Sequence, residues 1–251
     1  MFKLEKQIGA EMAKKKFFLI IDTETTQTEK VADFGAVVCD RQGKIHAQAG
    51  VLIRDFYLDR EHHPLFHTKD NADPLWGVKN LPKRYANYDS MLENGSRMLA
   101  TVNAVNRWLS QVAVKYQPTL TAYNLAFDKD KCSKSDIDLT IFEQRFCLWH
   151  ASAAKWGHTK TYRKFILETA GFNTPTKLRN MSYHTNAEAM ARYVLGNPDM
   201  PDEPHTALED AVHYELPILE KLINSTPKAE YMNPAGYNWR DYQVKDWFTV
   251  K

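Results

Sequence analysis

The chain predicts an α/β fold. A short, continuously apolar run from Phe17 to Ile21 fits a strand buried on both faces. The segment Ile45 to Ile53 alternates Ile45, Ala47, Ala49, Val51 and Ile53 with His46, Gln48, Gly50 and Leu52, the period of a half-buried strand. Helical spacing begins only later, in Met98, Val102, Val105, Leu109 and Val112, with Leu99 and Trp108 widening the stripe. Strands early and helices interleaved later describe an α/β domain.

The elements follow in order. Residues 1–16 read as a short helical or frayed extension, polar and weakly basic. Phe34 to Cys39 is the second strand, and Asp40-Arg41-Gln42-Gly43 is a turn in which Gly43 takes the positive φ. Antiparallel pairing with the alternating third strand follows. Residues 54–90 carry no long period and contain Pro64, Pro74 and Pro82. Their six basic and six acidic residues cancel, and their six aromatics, Trp76, Tyr85 and Tyr88 among them, predict a packed segment bordering a site. Pro118 ends the first long helix, and Thr119 to Tyr123 is the next strand. Residues 139–149 suit strand or helix equally. Lys164 to Ala170 and Asn186 to Leu195 read as helices closed by Gly171 and Gly196. The three prolines between Asn197 and Pro204 exclude regular structure. A last helix is expected from about Ala207 to Ile223, kinked at Pro217.

Composition excludes little. With 251 residues, 43% apolar and 25% charged, the chain suits one large soluble domain with appendages. A formal charge of +2 neither marks nor excludes a nucleic-acid binder. Cys39, Cys132 and Cys147 form no Cys-x-x-Cys pair, which argues against a disulfide scaffold or thiolate zinc site and for a reducing compartment. No apolar stretch approaches a membrane span, and no apolar signal core follows Lys14-Lys15-Lys16, so a cytoplasmic location is expected.

Three local patterns carry chemistry. Asp22 and Glu24 stand two apart at the end of the first apolar strand, so both point to one face. Two such carboxylates repel unless a cation lies between them, although solvated turn residues would look the same in sequence. Asn124 and Asp128 follow the next strand, where turn chemistry is the plainer explanation, with Phe127 packing to fix the turn. His205 and Asp210 flank a helix start. Thr206 and Glu209 have capping-box spacing, which makes Thr206 the N-cap and Glu209 structural. An imidazole of ordinary pKa, ~6.5, can take a proton from water near neutrality.

Taken together, Asp22-x-Glu24, Asn124-x-x-x-Asp128 and His205-x-Ala207-x-x-Asp210 resemble, in order and spread, the motifs of the DEDDh (DnaQ-like) 3′–5′ exonucleases, which include proofreading subunits, RNase T and oligoribonuclease. The resemblance covers about Phe17 to Asn224. Thr206 stands where the sister group carries tyrosine. It implies a ribonuclease H-like fold with a mixed five-stranded sheet flanked by helices. It also implies two Mg²⁺ or Mn²⁺ ions held by Asp22, Glu24, Asp128 and Asp210, with His205 as the base. Thr25, Thr26 and Asn124 would contact substrate. The activity implied is removal of nucleoside 5′-monophosphates from the 3′ ends of single-stranded nucleic acid. DNA is slightly preferred over RNA, and an exoribonuclease of the RNase T or oligoribonuclease type is the alternative. A scaffold that has lost turnover is a third reading, against which the complete acid set stands. A homodimer is compatible with this family. The chain departs from many relatives after the first motif, where Gln27 and Thr28 replace a glycine and an apolar wedge.

Two other features have plainer readings. His62, His63 and His67 lack the further ligands of a zinc site. The segment from Tyr231 to Phe248, with Tyr237, Trp239, Tyr242, Trp247, Arg240 and Lys245, could stack on bases, but packing on its own domain or docking a protein partner explains it better. The chain thus divides into an extension (1–16), a catalytic domain (17–224) and an aromatic tail (225–251).

Overall fold

In the computed structural model, residues 16–70, 73–172 and 182–243 are described. The expected extension and the far end of the aromatic tail, Trp247 and Phe248 included, lie outside them.

Strand β1 (Phe17–Thr25) is the axis of the molecule. It pairs antiparallel with β2 (Val31–Asp40), which pairs antiparallel with β3 (Ile45–Ile53). Gly43 takes φ +72° in the β2–β3 turn, as expected. After β3 come the short helix α1 (Arg54–Tyr57), α2 (Leu81–Glu93) and the edge strand β4 (Met98–Ala100), parallel to β3. Helix α3 (Val102–Tyr116) leads to β5 (Thr119–Ala122), which runs parallel to β1. Helix α4 (Leu125–Lys134) is followed by β6 (Arg145–Cys147), parallel to β5. The remaining helices are α5 (Leu148–Ser152), α6 (Lys160–Glu168), α7 (Ala187–Leu195), α8 (Ala207–Asp210), α9 (Leu216–Ser225) and α10 (Lys228–Met232). Sheet order is β4-β3-β2-β1-β5-β6. The fold is α/β, a mixed sheet flanked by helices, with six strands where five are expected.

The apolar run of β1 feeds two cores because successive side chains alternate faces. Phe18 and Ile20 join the core built with α5, α6, α7 and α9. Phe17, Leu19 and Ile21 join the other, built with Val105, Leu109 and Val112 of α3. Tyr231 and Tyr242 are buried in the first core, and Tyr237 stacks 4.7 Å from Tyr242. The described part of the tail therefore packs on its own domain.

Several expectations need correction. Met98 and Leu99 belong to β4 and are exposed rather than part of a helical stripe. Thr101 caps α3 by accepting from the Ala104 amide, so that helix starts at Val102, four residues after Met98. Residues 54–90 are less irregular than expected. Pro82 begins α2 in its first turn, where its missing N–H costs nothing, instead of breaking structure. Strand β3 is not cleanly alternating, since Val51, Leu52 and Ile53 are all buried. Residues 139–149 contain both β6 and the start of α5. The positive φ after α6 is taken by Ala170, not Gly171, whereas Gly196 closes α7 as expected. All three cysteines are free, and no described helix is long and apolar enough to cross a membrane.

Candidate active site

Strand β1 continues past its apolar run, so Asp22 and Glu24 sit on the strand itself, on the face that carries Phe18 and Ile20. Thr23 points the other way and donates to Asp128 Oδ1 at 2.8 Å. Asp128 is not in a turn: it lies in the first turn of α4, with Asn124 at the N-cap position. Phe127, expected to pack, is 41% exposed and lines the cleft instead.

The third motif reaches β1 through β2. Gly35 faces Asp22 across the ladder, and a Cβ on it would lie 2.3 Å from the Ala207 carbonyl carbon. Only hydrogen at that position lets the start of α8 approach so closely. The expected capping box does not form, for the Thr206 side chain makes no cap hydrogen bond to the helix start. Asp33 replaces it, accepting from the Ala207 amide at 2.9 Å. Arg97 then donates through Nε and Nη2 to Asp33 and through Nη1 to Glu209 at 3.0 Å. Glu209 is structural, as the sequence implied, but its partner is Arg97.

A cleft of about 540 Å³ is lined by Asp22, Glu24, Asp128, His205 and Asp210. Thr25, Thr26 and Asn124 line it too. Glu24, His205 and Asp210 each present a ligand atom within 4.8 Å of the other two. Asp22 and Asp128 lie outside that trio, and the charges of Asp128, Glu24 and Asp210 help to raise the pKa of Asp22. His205 holds φ +53°, a conformation costly for a non-glycine residue, and its ring lies edge-on to Trp76 at 5.1 Å.

Burial dominates the electrostatics. It pushes Asp210 up to about 9, with Glu203 and Glu24 adding repulsion, and Asp128 up to about 7, with the Thr23 hydroxyl opposing. Asp22 rises well above the carboxylate range through burial and then the charge of Glu215. Glu24 also rises through burial, although Arg84, 3.9 Å away, opposes it. His205 moves down, through burial first and Arg84 second, which keeps its imidazole neutral near pH 7. Asp210 Oδ1 is buried without a hydrogen-bond partner. Oxygen-rich, mutually repelling and partly orphaned, this donor set fits hard divalent cations.

Sequence reasoning missed four cleft residues. Glu203 sits two positions before His205, and burial pushes it up to about 7. Glu215 follows Asp210 by five residues and has no sequence signal. Phe66 and Trp76 come from the segment between β3 and α2, which is stitched to the first motif. Phe66 N donates to Thr25 O, Gln27 N to Pro64 O, and the Gln27 side chain to His67 O. His62 bonds Asp59, His63 bonds Thr28 and His67 bonds Leu65 O.

No family model matches the chain, and no curated protein matches it significantly. Among solved structures, exonuclease X in complex with 5′ overhanging duplex DNA is similar at 15% identity, covering 86% of this chain and 96% of that one, with a TM-score of 0.38. A TM-score that low carries no weight for fold or function.

Proposed function

We propose that the protein is a metal-dependent nuclease of the DEDDh type, removing nucleoside 5′-monophosphates from the 3′ ends of single-stranded nucleic acid. The observation that carries this reading is the convergence of Asp22, Glu24, Asp128, His205 and Asp210 on one cleft from three distant stretches of chain. The motif resemblance in the sequence points the same way.

Asp22, Glu24, Asp128 and Asp210 would hold two Mg²⁺ or Mn²⁺ ions. Such ions supply Lewis acidity toward the phosphodiester and stabilise charge on the departing 3′ oxygen. His205, neutral and half-buried, accepts the proton of the attacking water. Thr25, Thr26 and Asn124 meet the substrate's terminal sugar and phosphate. Phe66 and Trp76 offer aromatic faces to the terminal base, a role that the tethered Gln27 cannot fill. A single-stranded end suits these faces because its bases are already unstacked. DNA remains the preferred substrate by a narrow margin.

Digestion of 5′-labelled single-stranded DNA and RNA of one sequence, with Mg²⁺ or Mn²⁺, tests the assignment. A ladder shortening from the 3′ end is expected for wild type and none for Asp22→Ala. Shortening of RNA alone makes the enzyme an exoribonuclease. Equal activity in Asp22→Ala overturns the site. His205→Ala is expected to slow turnover by about 10²-fold or more while keeping cation binding. Loss of cation binding in that variant would instead make His205 a ligand, in keeping with its place beside Glu24 and Asp210.

A further inference from the structure

We propose that Glu215 is a fifth carboxylate ligand of the cleft, holding a divalent cation together with Asp22 and Asp128. The proposal rests on the reading that the cleft takes divalent cations, and it adds a residue outside all three sequence motifs.

The first ground is an orphaned oxygen. Glu215 is 2% exposed, lines the cleft, and its Oε2 is buried without a hydrogen-bond partner. A buried carboxylate is costly unless something pairs with it. Among the described residues the charged groups that act on Glu215 are all acids: Asp128, then Glu203, then Asp210. No structural ion pair accounts for it, in contrast to Asp33 and Glu209, whose charges Arg97 meets.

The second ground is backbone geometry. In a regular α-helix, five residues turn about 500°, which would swing residue 215 about 140° from the direction of Asp210. The chain instead makes a π turn, Ala211–Glu215, between α8 and α9. Hydrogen bonding from i to i+5 widens the turn and brings residues five apart much nearer to one direction than an α-helix does, and such turns occur often at functional sites. The wider turn therefore brings Glu215 to the wall that carries Asp210, against β1.

The third ground is which acids it meets. Glu215 exerts the largest charge effect on Asp22, and Asp128 the largest on Glu215. Glu24, His205 and Asp210 already converge on one point. Glu215 lines the same cleft as Asp22 and Asp128, outside the trio of Glu24, His205 and Asp210. Three carboxylates more than balance a charge of +2, and oxygen donors are what Mg²⁺ and Mn²⁺ take.

Calorimetric titration of the full chain with Mn²⁺, alongside melting of the metal-free protein, tests this. Glu215→Gln keeps size and hydrogen bonding but removes the charge. Its Mn²⁺ affinity is expected to fall about 10-fold or more, while the metal-free variant melts at or above wild type because repulsion is relieved. Wild-type affinity in Glu215→Gln overturns the proposal and leaves cation binding by the cleft intact. Absence of Mn²⁺ binding in wild type overturns both this proposal and the nuclease reading. If Glu215→Gln does not fold, Glu215→Asp decides: it keeps the charge but withdraws it by one methylene. Weakened Mn²⁺ affinity supports the proposal, and unchanged affinity overturns it.

Discussion

Trp76 touches three neighbours at once, two of them in the cleft. Its ring lies 5.7 Å from Phe66 and 5.1 Å from His205, with the Arg84 guanidinium 4.3 Å from its centroid. Arg84 also donates to Phe66 O and stands beside Glu24. A ring held this way is a rigid stacking platform, since its rotamer is fixed by contacts that do not involve substrate. Trp76→Ala should weaken binding of a single-stranded oligonucleotide by about 1–3 kcal/mol, the range for one lost base–aromatic stack. Measured by fluorescence anisotropy in a His205→Ala background, turnover does not intrude. Trp76→Phe should recover most of the loss. Unchanged oligonucleotide affinity in Trp76→Ala would remove the aromatic wall from the substrate path. At this scale the sequence was legible wherever chemistry repeats at fixed spacing: Asp22 with Glu24, Asn124 with Asp128, His205 with Asp210. It was silent on Glu215, whose place depends on a π turn, and on Phe66 and Trp76, whose place depends on backbone bonds between distant residues.

Between elements, the critical join is that of β2 with α8. Arg97, 2% exposed, bridges Asp33 of β2 and Glu209 of α8, and Asp33 in turn holds the Ala207 amide. Removing one partner of such a network leaves buried charge uncompensated, at about 3–5 kcal/mol. Arg97→Met should therefore lower unfolding free energy in urea by about that amount. Turnover should fall further than stability explains, because His205 and Asp210 ride on the helix start that Asp33 caps. Gly35→Ala presses on the same join, since its methyl has no space beside Ala207. A loss of about 1–3 kcal/mol is expected from overpacking, with weaker Mn²⁺ binding as α8 is pushed from β1. Wild-type Mn²⁺ affinity in Gly35→Ala would show that α8 need not sit so close. The partners in this network are not legible in the sequence. Asp33 and Arg97 are 64 residues apart, and Arg97 and Glu209 are 112 apart, so no local pattern links them. The capping-box spacing of Thr206 and Glu209 pointed to a bond that Arg97 takes instead. Helix α2 was hidden for a local reason: Pro82 reads as a breaker but serves as a helix start. Strands β1 and β2 fared better because their apolar runs are long enough to bury on both faces, whereas the three-residue β4 was read as helix.

For the molecule as a whole, the cleft sets stability against cation binding. Asp22, Glu24, Asp128, Asp210, Glu203 and Glu215 all have raised pKa values, through burial first and, except at Asp128 and Glu203, through one another's charge as well. In the metal-free protein, each acid is easier to bury protonated than ionised. A carboxyl whose folded pKa lies above its unfolded value, about 4, stabilises the fold fully below that unfolded value. That contribution is lost as pH rises through the folded values, which reach about 7 for Asp128 and Glu203 and about 9 for Asp210. Metal-free protein should therefore melt at progressively lower temperature between pH 5 and pH 9, about the window those values span. Divalent cations bind the ionised acids, so the sign reverses when they are present. The rise in melting temperature on adding Mg²⁺ should be small near pH 5, where protons compete, and grow toward pH 9. Asp210→Asn, which cannot ionise, should flatten the metal-free profile at its alkaline end and reduce the Mg²⁺ response. Differential scanning fluorimetry across this range, with and without Mg²⁺, reads both trends at once. A metal-free profile that stays flat or rises across this range would overturn the reading that these acids are buried at a cost when ionised. A Mg²⁺ response independent of pH would mean that the cation binds away from these acids.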